Sequence, residues 1–327
     1  MDNLIYNMDT KEIESDIGEI REFDLSKYIE PMFYDREEFH IYHSKFAESV
    51  FKVIFKKGKK YIAYFYGGIR NNIFIIPYSA PFSMIYTKDK CKISSLCEIV
   101  KSIIEVGKYL RVKSIKITLP PEIYNKECIN SIYSALNNNK FRVKTIDLNN
   151  YFDLNEYSNL EKYLLSVDRK TRQNYNRAIV NGLKFTKIEN NDFNIAYDVI
   201  KISKEELNYP LKISEQQMKD IINMDSSNVD CFIVKKDEEN IAAAIAFKVT
   251  NKISQVIYVG DIIKYRKLRP TELLYIGLIQ FFKEQGNEYI DFGPSGEDGI
   301  INIGLADYKN SMGCNNISKF SFEYIIE

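Results

Sequence analysis

The sequence predicts an α/β (α+β) protein of two tandem domains, each a mixed, mostly antiparallel sheet flanked by helices. Three observations lead there. The order strand-strand-strand-helix-strand-helix-strand occurs twice along the chain. The helical segments carry apolar residues at i, i+3, i+4 spacing, as at Leu96, Ile99, Val100, Ile103 and Ile104. At 327 residues the chain is long for one core and comfortable for two.

In the first half, Val50 to Phe55, Tyr61 to Ile69 and Ile73 to Ser79 alternate as strands, separated by the turns Lys56-Lys-Gly-Lys-Lys60 and Arg70-Asn-Asn72. After Pro81 follow a helix from Ser94 to Leu110, a strand from Ser114 to Leu119, a helix from Cys128 to Leu136 and a strand from Arg142 to Leu148. The segment Asn149-Asn-Tyr-Phe-Asp-Leu-Asn155 reads as a linker, dividing residues 1–150 from residues 151–327. The second half opens with a helix from Leu160 to Asn181, a strand from Leu183 to Ile188 and a helix from Phe193 to Leu207. It then repeats the earlier order. Strands run from Asp230 to Val234, Ile241 to Val249 and Ser254 to Gly260. A helix opens on Pro270 and stops at Gly286, matching the preference for proline at helix starts and glycine past their ends. Strand Glu288 to Phe292, helix Ile303 to Met312 and strand Ile317 to Tyr324 complete the set, which reads as an internal duplication.

Composition limits the function classes. Lys+Arg and Asp+Glu both number 45, so no global field draws the chain to DNA, and a dedicated nucleic-acid binder is normally more basic. The five cysteines form no Cys-x-x-Cys pair, which argues against a zinc ribbon or a disulfide framework. His40 and His43 form a His-x-x-His pair without further ligands, so no metal is expected. The opening Met1-Asp-Asn-Leu-Ile lacks a basic n-region and an apolar core, and no apolar run reaches the roughly 18 residues of a membrane span. The expectation is a cytoplasmic protein.

Two stretches carry a family resemblance. One is Ser166-Val-Asp-Arg-Lys-Thr-Arg-Gln-Asn-Tyr-Asn-Arg-Ala-Ile-Val-Asn-Gly182, a basic helix ending in a glycine before a strand. The other is Gly304-Leu with Tyr308-Lys309 and Gly313. Together with the β-α-α-β-β-β-α-β-α-β order of the second half, they resemble the GNAT acyltransferase fold. Two such units in one chain look like the FemAB and FemX peptidoglycan-bridge transferases and their acetyltransferase relatives. The chain departs from them in two respects. It has no inserted helical arm, and where many GNAT proteins carry a glycine-rich phosphate loop it reads Arg266-Lys-Leu-Arg269-Pro270-Thr271.

The resemblance implies a GNAT-like N-terminal domain on the acceptor side and a C-terminal GNAT domain that binds the acyl donor. The donor would be acetyl-CoA or another acyl-CoA, and the acceptor a small-molecule or sugar-nucleotide amine of the cell envelope. Aminoacyl-tRNA is the alternative donor, and a non-catalytic sugar-nucleotide-binding relative is the third reading. The free amides and positive end of the helix from Pro270 form a phosphate cradle, with Thr271 and Glu272 in its first turn and Arg266 and Arg269 beside it. By the resemblance, Tyr308 would protonate the leaving group and Lys309 would stabilise a phosphate or the oxyanion. Asp291, closing a strand in Asp-Phe-Gly-Pro, either deprotonates the amine or caps the following turn. Arg169, Arg172 and Asn176 share one helix face suited to an anionic acceptor. Tyr78, Ser79 and Phe82 form a polar-aromatic turn at a strand end, the first-domain candidate for acceptor binding.

Overall fold

The computed structural model describes residues 2–7, 29–57, 60–87 and 91–326. Part of the predicted Lys56–Lys60 turn lies outside the described residues. The chain divides into two compact units, one of Met1–Asp147 with Ser318–Glu327, the other of Leu148–Ile317.

In the first unit, β1 (Asp2–Asn7), α1 (Glu37–His43), β2 (Ser49–Lys57), β3 (Lys60–Arg70), β4 (Ile73–Ile76), β5 (Tyr86–Thr87), α2 (Ile93–Tyr109), β6 (Ser114–Thr118) and α3 (Lys126–Asn138) lead into β7 (Arg142–Asp153). In the second, α4 (Leu160–Ser166), α5 (Arg169–Val180), β8 (Leu183–Ile188), α6 (Phe193–Glu206) and α7 (Glu215–Met224) precede β9 (Val229–Lys236), β10 (Glu239–Lys248) and β11 (Ile253–Asp261). Then come α8 (Pro270–Glu284), β12 (Tyr289–Pro294), the two-residue strands β13 (Gly296–Glu297) and β14 (Ile300–Ile301), α9 (Ile303–Ser311) and β15 (Asn315–Ile325).

The predicted repetition is present. In the first unit β2, β3 and β4 form an antiparallel meander, and β6 returns parallel to β4 after the α2 crossover. In the second, β9, β10 and β11 form the meander, and β12 returns parallel to β11 after α8. The two closing strands each span the unit boundary in sequence. The end of β7 pairs antiparallel with β12, Tyr289 opposite Asp153, whereas the end of β15 pairs antiparallel with β6, Ser321 opposite Thr118. The residues from Ser318 therefore count with the first unit rather than the second, where the reading of the sequence had put them.

Two further expectations change. Asn149 to Asp153 is strand, not linker, and Asn149 and Asn150 are fully buried. Their side-chain nitrogens donate to other side chains, Asn149 to Asp291 and Asn150 to Asn316, which lets these asparagines sit inside a sheet. The predicted helix Leu160 to Asn181 is broken at Val167. There the Asp168 carboxylate caps the Thr171 amide at 2.6 Å, while the Arg172 guanidinium donates back to the carbonyls of Leu164, Leu165 and Val167.

Packing explains the alanines of β10. Ala242, Ala243, Ala244 and Ala246 are buried on a strand covered by α6 and α8, and small side chains let the helices approach closely. Gly260 of β11 faces the Ile200 backbone, and Gly277 of α8 faces the Phe185 ring, where an added Cβ would lie 2.4 Å from a ring carbon.

A polar knot ends β12. The fully buried Asp291 carboxylate accepts from Asn149 Nδ2, Gln255 Nε2 and the Gly293 amide, each at 2.8 Å. Gly293 takes φ +71°, which glycine adopts freely. The carbonyls beyond the turn point at Lys309, whose Nζ donates to Phe292 at 2.8 Å, Gly293 at 2.9 Å and Pro294 at 3.3 Å. Burial lowers the Lys309 ammonium from 10.5 to about 8, against the opposing pull of Cys314 and Asp291.

Replacing Lys309 with Met removes all three of these bonds and should cost about 3 kcal/mol in urea unfolding at pH 7. Because the folded lysine loses its proton near pH 8 and the unfolded one near 10.5, the wild-type chain gains stability from this group across that window as pH rises. The deficit of Lys309→Met should therefore widen between pH 8 and 10.5; a gap that stays level or narrows there contradicts this account of the ammonium.

Candidate functional site

Three helix starts in the second unit meet around a cleft of about 800 Å³: those of α5, α8 and α9. From α5 come Asp168, Lys170, Thr171 and Asn174. The end of β11 and the start of α8 supply Asp261, Arg266, Arg269, Thr271 and Glu272. From α9 come Asn302, Gly304, Leu305, Asp307, Tyr308 and Ser311.

The parallel strands set up this opening. β11 and β12 pair only from Ile253 opposite Tyr289 to Gln255 opposite Asp291, and β11 runs on to Asp261 paired with β10 but not with β12. Strands that part at their carboxyl ends leave a crevice, the usual ligand position in open α/β sheets.

The start of α8 is unusual. Its N-cap is Arg269, a non-glycine residue at φ +69° and ψ +45°, a conformation costing on the order of 1 kcal/mol. No side chain caps this helix, and Pro270 has no amide, so the first-turn amides of Thr271 and Glu272 have no capping side chain. By contrast, α5 is capped by Asp168 and α9 by Asn302, which accepts from the Leu305 amide at 3.0 Å. Of the three helix starts, only that of α8 has no side-chain cap.

Two polar groups of the cleft are buried without a hydrogen-bond partner among the described residues, Arg269 Nε and the Tyr308 hydroxyl. Tyr308 packs edge-on to Tyr275, ring centroids 5.4 Å apart. Burial first, and then the charge of Glu272, pushes its hydroxyl well above the ordinary tyrosine range, so it stays protonated. Glu272 is 7% exposed and accepts from Asn174 Nδ2 at 2.8 Å. Arg266 is already committed, its guanidinium held by both oxygens of Asp261 at 2.7 and 3.0 Å. The cleft thus carries Lys170, Arg266 and Arg269 against Asp168, Asp261, Glu272 and Asp307, a lining of mixed charge.

The structure brings together five of the residues expected from sequence: Arg266, Arg269, Thr271, Glu272 and Tyr308 all line the cleft. The others lie elsewhere. Lys309, next to Tyr308, turns inward to the β12 carbonyls, and Asp291 is consumed by the knot. Arg172 caps the end of α4, and Arg169 and Asn176 are exposed on α5 outside the cleft lining. In the first unit, the buried Tyr78 hydroxyl donates to the His40 carbonyl at 3.1 Å, and Phe82 is fully buried against Tyr34 and Tyr124. Ser79 is half-buried beside them in the chain.

Sequence reasoning missed Asp168, Lys170, Thr171, Asn174, Asp261 and Asn302. The helix face toward the cleft runs through Thr171 and Asn174, one step round from the basic face. The spacing Asp168-x-x-Thr171 is a capping signal and would have marked it. Among the described residues no cluster of three or more His, Cys, Asp or Glu is arranged to hold a metal, and no helix is long and apolar enough to cross a membrane.

No protein-family model and no curated protein matches the chain. Solved structures do. FemX superposes with a TM-score of 0.67 at 12% identity, covering 90% of this chain and 92% of that one. The C-terminal domain of a putative lysylphosphatidylglycerol synthetase from Agrobacterium fabrum gives 0.60 at 14% identity, over 89% and 88%. L-PGS from Bacillus licheniformis gives 0.53 at 14% identity, over 83% of each chain. At these identities the likeness establishes architecture, and the repeated meander, crossover and parted strands agree with it. The chain has the GNAT-like fold of the FemAB and FemX type.

Proposed function

We propose that the second unit transfers an acyl group from an activated ester or thioester to an amine, with the chemistry in the cleft at the start of α8. The carrying observation is the Tyr308 hydroxyl, buried in the cleft wall, protonated and without a partner. In this reading the acceptor amine attacks the acyl carbonyl carbon, and the new C–N bond forms as the C–O or C–S bond breaks. Tyr308 gives its proton to the departing oxygen or sulfur. The attacking amine loses its proton to a cleft carboxylate, Glu272 being the most enclosed. The Thr271 and Glu272 amides and Arg269 Nε supply donors for the developing oxyanion or for a phosphate. The acceptor fits an amine-bearing sugar nucleotide or other cell-envelope precursor, which the FemAB and FemX likeness supports. The catalytic roles earlier considered for Lys309 and Asp291 are not part of this proposal, since both spend their polar atoms on the backbone and side chains of the knot.

Two donors are weighed, an acyl-CoA and an aminoacyl-tRNA. The ammonium of an aminoacyl group favours the second. Both donors carry phosphates, so the four carboxylates and three cations of the cleft, with Asp261 occupying Arg266, do not separate them on that ground. An aminoacyl ester brings an ammonium that Glu272 or Asp261 would attract. The name of one similar structure also specifies a lysyl group.

Calorimetric titration separates the two. The wild-type chain should bind a hydrolysis-resistant 3′-aminoacylamino-adenosine more tightly than acetyl-CoA. Tighter binding of acetyl-CoA reverses the choice of donor, and binding of neither removes the acyl-transfer reading. With the better donor and an amine acceptor, Tyr308→Phe should lower turnover by at least about tenfold while leaving the melting temperature near wild type. Unchanged turnover would take Tyr308 out of the mechanism.

A further inference from the structure

A second cavity of about 450 Å³ opens in the second unit at the other end of α8. Its body is apolar. Phe152, Tyr157 and Tyr163 form a ring cluster with centroids 5.3 to 5.7 Å apart, and Leu154, Leu160 and Ile279 extend the wall, with Ser158 and Asn159 lining it between Tyr157 and Leu160. The hydroxyl of Tyr163 is spent on the Met312 carbonyl at 2.8 Å, so this ring offers the cavity only its apolar surface. A space of this size falls within the ~300–1,000 Å³ of small-molecule pockets, and apolar walls hold water poorly.

The rim is not apolar. Lys283 lines it with Gln280 and Glu284. Glu284 accepts from Gln280 Nε2 at 3.1 Å, and the Lys283 ammonium donates to the Leu154 carbonyl at 2.7 Å. Among the described residues no carboxylate pairs with Lys283, so a half-buried cation faces an apolar hollow with its charge unbalanced.

We propose that this cavity binds an amphiphilic carboxylate, an apolar chain or ring system lying against Phe152, Tyr157, Tyr163 and Ile279 with its carboxylate on Lys283. The body of the ligand gains from burial against the rings and aliphatic side chains. The head gains a charge-assisted hydrogen bond, with the two ammonium protons not given to Leu154 available to it. The site is separate from the cleft at the start of α8 and does not rest on the transfer reaction. One structural tie joins them: Tyr163 walls this cavity, and the carbonyl it holds belongs to Met312, the C-cap of α9, which carries Tyr308.

Titration of the full chain with decanoate and with decan-1-ol tests the assignment. Decanoate should bind in the micromolar range, and decan-1-ol about tenfold more weakly for want of the head group. Lys283→Met should bring decanoate to the level of the alcohol, and Ile279→Trp, which fills the hollow, should abolish binding of both. A thermal melt of each variant establishes that it is folded, and Leu160→Trp fills the same space from α4 if Ile279→Trp is not. Absence of decanoate binding at millimolar concentration, equal affinity for acid and alcohol, or wild-type binding by a folded tryptophan variant would each overturn the proposal.

Discussion

The structure of the second unit depends on keeping one carboxylate satisfied in the dark. Asp291 is fully buried, and an unpaired charge there would cost several kcal/mol. Its oxygens are met from β7 by Asn149, from β11 by Gln255 and from its own chain by the Gly293 amide. Those bonds join three neighbouring strands where β11 and β12 cease to pair. At the turn they create, Lys309 donates to the carbonyls of Phe292, Gly293 and Pro294. The lysine thereby seats α9 on the end of β12. An adjacent residue on that helix, Tyr308, is consequently held in the cleft with its hydroxyl unpaired.

Rigidity and openness are divided between neighbours in the same way at the start of α8. Asp168 and Asn302 cap the starts of α5 and α9 with their own side chains, taking the Thr171 and Leu305 amides. Arg269 does not close α8, and it holds a left-handed conformation that ordinary residues avoid. Its buried Nε lacks a partner, as does the Tyr308 hydroxyl. Unspent donors of this kind are costly in a folded chain, and a site that binds oxygen-rich groups is where such a cost is repaid.

Much of the architecture was legible because periodicity and turn chemistry are local. The 3.6-residue spacing in α2, proline at the first position of α8 and glycine after its end sufficed to locate those helices. The capping box Ser214-x-x-Gln217 of α7 was equally legible but went unread. Arg266, Arg269, Thr271, Glu272 and Tyr308 were found because a helix start and the residues that flank it are fixed by sequence proximity. Arg172 and Asp291 were offered as ligand-binding or catalytic groups because they are charged and suitably spaced. Their hydrogen-bond partners, the α4 carbonyls and the Asn149 and Gln255 amides, show instead that they hold the backbone.

By itself, the sequence determined the order of strands and helices, their duplication and the helix start at Pro270, since each follows from contacts within a few residues. Only the tertiary structure decided which side chains are available to a ligand. Tyr308 and Lys309 are adjacent in sequence, yet one meets an open cleft and the other three buried carbonyls. That difference comes from the ending of β12, a segment some fifteen residues earlier, whose carbonyls draw the ammonium inward. Side-chain roles are set by which distant backbone groups a side chain meets in the fold, and no local pattern in the chain records that.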